Sequence, residues 1–235
     1  MMRYLRPLLL SIALLVGGCA VQLPVASKPA SAVAEATFLA LGDSYTIGQG
    51  VRAPERWPVQ LAQLARHQGL RLRAPALVAR TGWTTAELQA GIEQTHNHQQ
   101  YDLVSLLIGV NNQYRGQSVA TYRAEFRQLL CTAVHFAANR PGHVIVLSVP
   151  DWGQSPFGQR PGRDPNRTGA EVDQFNRAAQ AECQEAGVAY INITPLTRVA
   201  AGDASQFTRD GLHYSGRQMR LWAEQALPVV RQLLR

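Results

Sequence analysis

The chain has 235 residues, 46% of them apolar and 17% charged, with 23 Lys and Arg against 16 Asp and Glu for a formal net charge of +7. That length and apolar content suit one folded domain and exclude a disordered chain. The three cysteines are too few for a disulfide scaffold, no C-x-x-C pair marks a zinc site, and the basic residues are scattered Arg with a single Lys, Lys28, so no nucleic-acid partner is expected.

The first element in the chain is a targeting segment. Arg3 and Arg6 precede the apolar stretch Leu8 to Val16, and Gly17-Gly18-Cys19 follows. A basic start, a short apolar stretch and small residues make a secretory signal peptide, and the stretch is too short for a permanent membrane span. Leu15-Val16-Gly17-Gly18-Cys19 resembles a bacterial lipobox. The resemblance implies cleavage before Cys19, lipid on Cys19, and, with Ala20 next, an outer-membrane anchor facing the periplasm. The other reading is an ordinary signal peptide with an incidental cysteine. Cleavage removes two Arg and no acids, leaving 21 minus 16, or +5. Residues 19–36 read as the lipidated Cys and a flexible tether of Ala, Val, Ser and Pro, and residues 37–235 as the folded domain.

Strands and helices then alternate. Thr37 to Leu41 is an apolar strand, and Trp57 to His67 has amphipathic helical spacing. Leu70 to Ala79 is a strand candidate weakened by Pro75. Thr84 to about Thr95 is helical, capped by Thr84 or Thr85. Leu103 to Ile108 and Val144 to Val149 are continuous apolar runs, as expected of strands buried on both faces. Ser118 to Ala138 is a long helix. A loop covers Pro150 to Thr168, Glu171 to Ala186 is helical, Val188 to Ile193 is a fifth strand, and a helix over Ser215 to Leu234, with Pro228 inside, closes the chain. This alternation predicts a parallel sheet covered on both faces. Cys131 and Cys183 fall in helices; an exported compartment permits a disulfide between them, and two buried thiols are the other reading.

The residues with chemistry sit at strand ends, where ligands bind in open α/β sheets. Gly42-Asp43-Ser44-Tyr45 follows the first strand, and a serine there can present its hydroxyl at the sheet edge. Thr46 stands where a G-x-S-x-G elbow needs its second glycine. A plain turn capped by Asp43 or Ser44 fits the same residues. Asp210-Gly211-Leu212-His213 places an acid three residues before a histidine, as a base and its orienting acceptor require. Thr81-Gly82-Trp83 and Gly109-Val110-Asn111-Asn112 end the next two strands. The Gly82 N–H and the Asn111 carboxamide are donors of the kind an oxyanion needs.

These blocks, in this order, resemble the SGNH, or GDSL, hydrolases over about residues 37 to 234. The resemblance implies a flavodoxin-like α/β/α fold with a five-stranded parallel sheet. It implies Ser44 as nucleophile, His213 as base and Asp210 as its orienting acid, with an oxyanion hole from Ser44, Gly82 and Asn111. Asn112 replaces the Asp that usually ends the third block, and Tyr214 stands where Pro often follows the His, which affects the mouth of the site. The expected activity is carboxylic-ester hydrolysis through an acyl-enzyme, on short-acyl or O-acetyl esters of small molecules or glycans in the cell envelope. The alternatives are a lysophospholipase or thioesterase for longer chains, and a catalytically silent envelope-binding lipoprotein. No metal or cofactor is expected.

Other patterns read more plainly. Gly48-Gln49-Gly50-Val51-Arg52-Ala53 fits a dinucleotide fingerprint formally, but it starts past the strand and Pro54 follows. His96 and His98 lack a third ligand in the sequence. Trp83, Trp152 and Phe157 either line an acyl or sugar site or pack the loops. Arg160, Arg163 and Arg167 either meet an anionic substrate or form a solvated loop.

Overall fold

The computed structural model describes residue 2 and residues 35–235. Cys19, the expected signal peptide and nearly all of the expected tether lie outside the described residues. Five parallel strands form one sheet in the order β2-β1-β3-β4-β5: β1 Phe38–Gly42, β2 Ala76–Ala79, β3 Leu103–Leu107, β4 Val144–Leu147 and β5 Ala189–Ile191. The helices are α1 Ser44–Ile47, α2 Trp57–His67, α3 Thr85–Gln94, α4 Val110–Tyr114, α5 Val119–Phe136, α6 Pro165–Ala186, α7 Thr194–Val199 and α8 Gly216–Leu233.

The central strands are apolar on both sides because both faces are covered. Phe38, Ala40, Leu103, Leu107, Ile145 and Leu147 pack with α2 and α8, on Trp57, Leu61, Met219 and Trp222. Their neighbours Leu39, Leu41, Val104, Leu106, Val144 and Val146 pack on the opposite face, against Leu88 of α3, Phe126 and Leu129 of α5 and Phe175 of α6. Side chains of period two thus feed two cores from one run. Each fully buried Leu or Phe contributes about 1.5–3 kcal/mol by leaving water. On the α5–α6 side, Arg123 and Arg127 both grip the buried carboxylate of Glu182, Arg127 Nε at 2.6 Å.

Several boundaries differ from the sequence expectation. The second strand starts only after Pro75, because proline has no N–H for the ladder; upstream, Leu72 makes one isolated bridge to Ala36. That bridge, with Ala36 N–H donating to the Arg71 carbonyl at 2.7 Å, carries the folded part back to residue 36, which was expected in the tether. Helix α6 begins at Pro165, six residues before the expected Glu171, because Asp164 caps it and Pro occupies the first helical position. The short helices α1, α4 and α7 were not foreseen. Helix α8 runs through Pro228 without a break, on an exposed face. The Cys131–Cys183 disulfide is not present: both thiols are free, Cys131 exposed on α5 and Cys183 buried on α6. Burial pushes the Cys183 thiol up to about 12.

Candidate active site

After β1 the chain turns back into β2 on one side, then crosses to β3 on the other. The gap outside the carboxyl ends of β1 and β3 is therefore the topological switch point of the sheet. Ser44 follows β1 and Asn111 follows β3, so both stand at that gap.

Ser44 is the first residue of α1. The turn that places it is tight: a Cβ on Gly42 would lie 2.2 Å from Thr46 Oγ1 and 2.5 Å from the Leu107 carbonyl. Only glycine fits there. Asp43 caps the helix, its Oδ1 accepting the Tyr45 N–H at 3.0 Å. Its other oxygen, Oδ2, is buried without a partner. Burial pushes the Asp43 carboxyl up to about 7 against the lowering effect of the Tyr45 N–H.

His213 arrives from the loop before α8. Its Nδ1 lies 2.7 Å from Asp210 Oδ2. Asp210 Oδ1 accepts the N–H groups of Leu212 and His213 at 2.8 and 2.9 Å and the Thr208 hydroxyl at 2.8 Å. Partial burial opposes the charge of Asp210, but the hydrogen bonds from His213, Leu212 and Thr208 outweigh it and hold the carboxyl at about 2. An ionised acceptor at Nδ1 keeps the proton there and leaves Nε2 with a free lone pair. The Tyr45 ring meets the imidazole edge-on at 5.7 Å between centroids. No hydrogen bond joins Ser44 to His213 among the described residues; both face the same cavity.

Helix α4 supplies the third side. Gly109 starts it at φ +128°, and a Cβ there would meet the Tyr122 ring at 2.8 Å. The Asn111 amide donates to the Trp83 carbonyl at 2.9 Å, which uses one of its two N–H bonds and leaves the other. Arg115, at the end of α4, donates to the Gly82 carbonyl at 2.6 Å and to Glu87 at 3.1 Å, fixing the turn that carries Gly82.

Ser44, Gly82, Asn111 and His213 thus line one cavity of about 200 Å³, walled by Tyr45, Val110, Tyr114, Trp152, Phe157 and Leu212 among others. Asp210 stands behind His213. The family model for GDSL-like lipases and acylhydrolases matches residues 40–221. The chain belongs to this family. It is an ester hydrolase. Solved structures similar to this acylhydrolase include TesA, with 20% identity and a TM-score of 0.67 over 84% of this chain and 99% of that one. A lipase/acylhydrolase from Enterococcus faecalis is 22% identical, with a TM-score of 0.63 over 85% and 97%. A mutant of Axe2, an acetyl-xylooligosaccharide esterase from Geobacillus, is 17% identical, with a TM-score of 0.65 over 83% and 94%. At such identities the likeness establishes the shared fold. No curated protein matches the sequence.

The structure decides one open alternative for this acylhydrolase, that of Trp83, and changes one expectation, that of Tyr214. Trp83 does not line the cavity; its ring lies against Gly91, where a Cβ would come within 2.2 Å. Tyr214 is not at the mouth. It is buried, donates to the Asp151 carbonyl at 3.0 Å and packs on Tyr45, Phe207 and Trp222. Trp152 and Phe157 do line the cavity. Gly48 and Gly50 take left-handed turns after α1, as loop glycines. Sequence reading missed Tyr114, although it lies one helical turn after Asn111 and so shares its face. It also missed Arg115, whose role depends on a carbonyl 33 residues away.

Proposed function

We propose that Ser44 is the acylated nucleophile, His213 the general base and acid, and Asp210 the group that orients the imidazole and stabilises the imidazolium. In this reading Ser44 Oγ attacks the ester carbonyl while Nε2 of His213 takes its proton. The Ser44 and Gly82 N–H groups and the Asn111 amide hold the oxyanion, His213 protonates the leaving alcohol, and water repeats the sequence on the acyl-enzyme. The convergence of these groups on one cavity is the observation that carries the reading. The cavity's size and apolar walls favour a short acyl group such as acetyl over a long chain.

Asn112 does not count against activity in this reading. It is buried away from the cavity, accepting the Thr85 N–H at 3.1 Å and donating to Thr85 and Gln117. Assayed on acetyl, butyryl and palmitoyl esters, the wild type is expected to turn over the short esters. Ser44→Ala is expected to lower kcat by at least about 10⁴-fold; wild-type turnover in that variant sinks the assignment. The lipobox-like sequence supports export and anchoring at Cys19. Radiolabelled palmitate is therefore expected to mark the wild type and not Cys19→Ala, which would fractionate as a soluble protein.

A further inference from the structure

Beside the catalytic cavity runs a polar groove of about 600 Å³, between the α4–α5 connection and the start of α6. Groove and cavity share Tyr114 and Trp152, whose rings meet edge-on at 5.4 Å. These two rings are the wall that cavity and groove have in common.

Arg163 lines the groove at this junction. Its guanidinium carbon lies 3.9 Å from the Phe157 ring centroid, 5.4 Å from that of Trp152 and 5.9 Å from that of Tyr114. All three rings also line the catalytic cavity. Arg163 is half-buried, yet among the described residues its guanidinium has no carboxylate and no hydrogen-bond acceptor. The charges around it are otherwise engaged. Arg167 holds Glu171 at 2.8 Å, Glu171 also accepts from Gln113 at 2.8 Å, and Asp164 caps α6 by accepting the Arg167 N–H at 3.0 Å. Arg160 lies 4.9 Å over Phe157 and is exposed.

Ring faces attract a guanidinium and fix its orientation, but they leave its N–H fork free. Such a fork suits the two oxygens of a carboxylate or phosphate. We propose that Arg163 is a specificity residue that binds an anionic group on the alcohol half of the ester. The proposal rests on the reading of the Ser44 cavity as the acyl site, and it adds a substrate class: O-acyl esters of acidic alcohols.

Two matched pairs test it: O-acetylglycerol 3-phosphate against O-acetylglycerol, and an O-acetylated methyl glucuronoside against the corresponding methyl glucoside. The readout is the anionic-to-neutral ratio of kcat/KM within each pair. Arg163→Gln is expected to lower that ratio about tenfold in at least one pair, and Arg163→Lys to restore part of it. A fall in the phosphate pair alone assigns a phosphorylated alcohol, and a fall in the uronate pair alone an acidic sugar. In the wild type, added salt is expected to slow the favoured anionic ester more than its neutral partner, a measurement that holds even if the Gln variant does not fold. Unchanged ratios with equal salt dependence overturn the Arg163 proposal while the esterase reading stands. A wild type inert towards all four esters overturns both.

Discussion

Asp43 has two different oxygens in one turn. Oδ1 caps α1 and so fixes the backbone of Ser44, while Oδ2 is buried without a partner. Burial raises this carboxyl from its ordinary 3.8 to about 7. The folded state therefore binds its proton more tightly than the unfolded one. That contribution to stability is full below the ordinary value and is lost as pH rises through about 7. Asp43→Asn keeps the capping oxygen and removes the charge. Its melting temperature relative to wild type, followed by calorimetry, is expected to rise by about 3 °C or more between pH 5 and pH 8.5. A constant gap would mean that Asp43 does not titrate in this range. Asp43 as a cap was one of the readings open in the sequence; its orphaned oxygen was not legible, because burial is set by the packing of the whole fold and not by neighbours in sequence. Asn112 is similar. Its amide lies 3.4 Å from a Glu125 oxygen, so the Asp usual at this position would put two carboxylates together. The amide here matches a neighbour thirteen residues away, which no local pattern announces.

At the scale of elements, legibility follows length and local chemistry. Helix α3 carries its own start signal: the Thr84 hydroxyl accepts the Glu87 N–H while the Glu87 carboxylate accepts the Thr84 N–H, and the boundary was read within a residue. Helix α2 shows its buried face in its spacing, and its limits agree throughout. Helices α1 and α4 are four and five residues long, too short for any period to show, yet they carry Ser44 and Asn111. What fixes α4 is its first contact. With φ at +128° and the Tyr122 ring 2.8 Å from a Cβ, Gly109→Ala combines backbone strain with overpacking. The expected loss is about 3 kcal/mol in urea unfolding, together with a drop in kcat as Asn111 shifts. Full activity and stability in that variant would remove Gly109 from the placement of Asn111.

Across the whole molecule, the loop after β4 is held by parts of the chain far apart in sequence. Asp151 is buried and bonded to Arg198 of α7 at 2.8 Å, while Arg198 also reaches Asp173 of α6 at 2.8 Å. The Asp151 main chain receives Tyr214, and the Phe157 N–H reaches the Gly211 carbonyl at 2.8 Å. Trp152 and Phe157 are thereby held on the cavity that His213 also lines. Arg198→Met strips a buried carboxylate of its partner and is expected to cost about 3–5 kcal/mol in chemical denaturation. Loss of the matched acid as well, in Arg198→Met with Asp151→Asn, is expected to restore part of that stability. A double variant as unstable as the single would show that Asp151 bears no unpaired charge.

The sequence by itself determined the alternation of strands and helices, the two-sided burial of β3 and β4, and the ordered blocks around Ser44, Gly82, Asn111 and His213. These are local signals, since apolar runs, glycine at tight turns and residues flanking a strand are written within a few positions. Tertiary structure alone decided which loop aromatics reach the cavity, that Tyr214 is core, that the two thiols stay apart, and that Arg163 sits on three rings at the cavity's edge. Each depends on the distance between elements remote in sequence, and packing of two layers on a twisted sheet sets that distance.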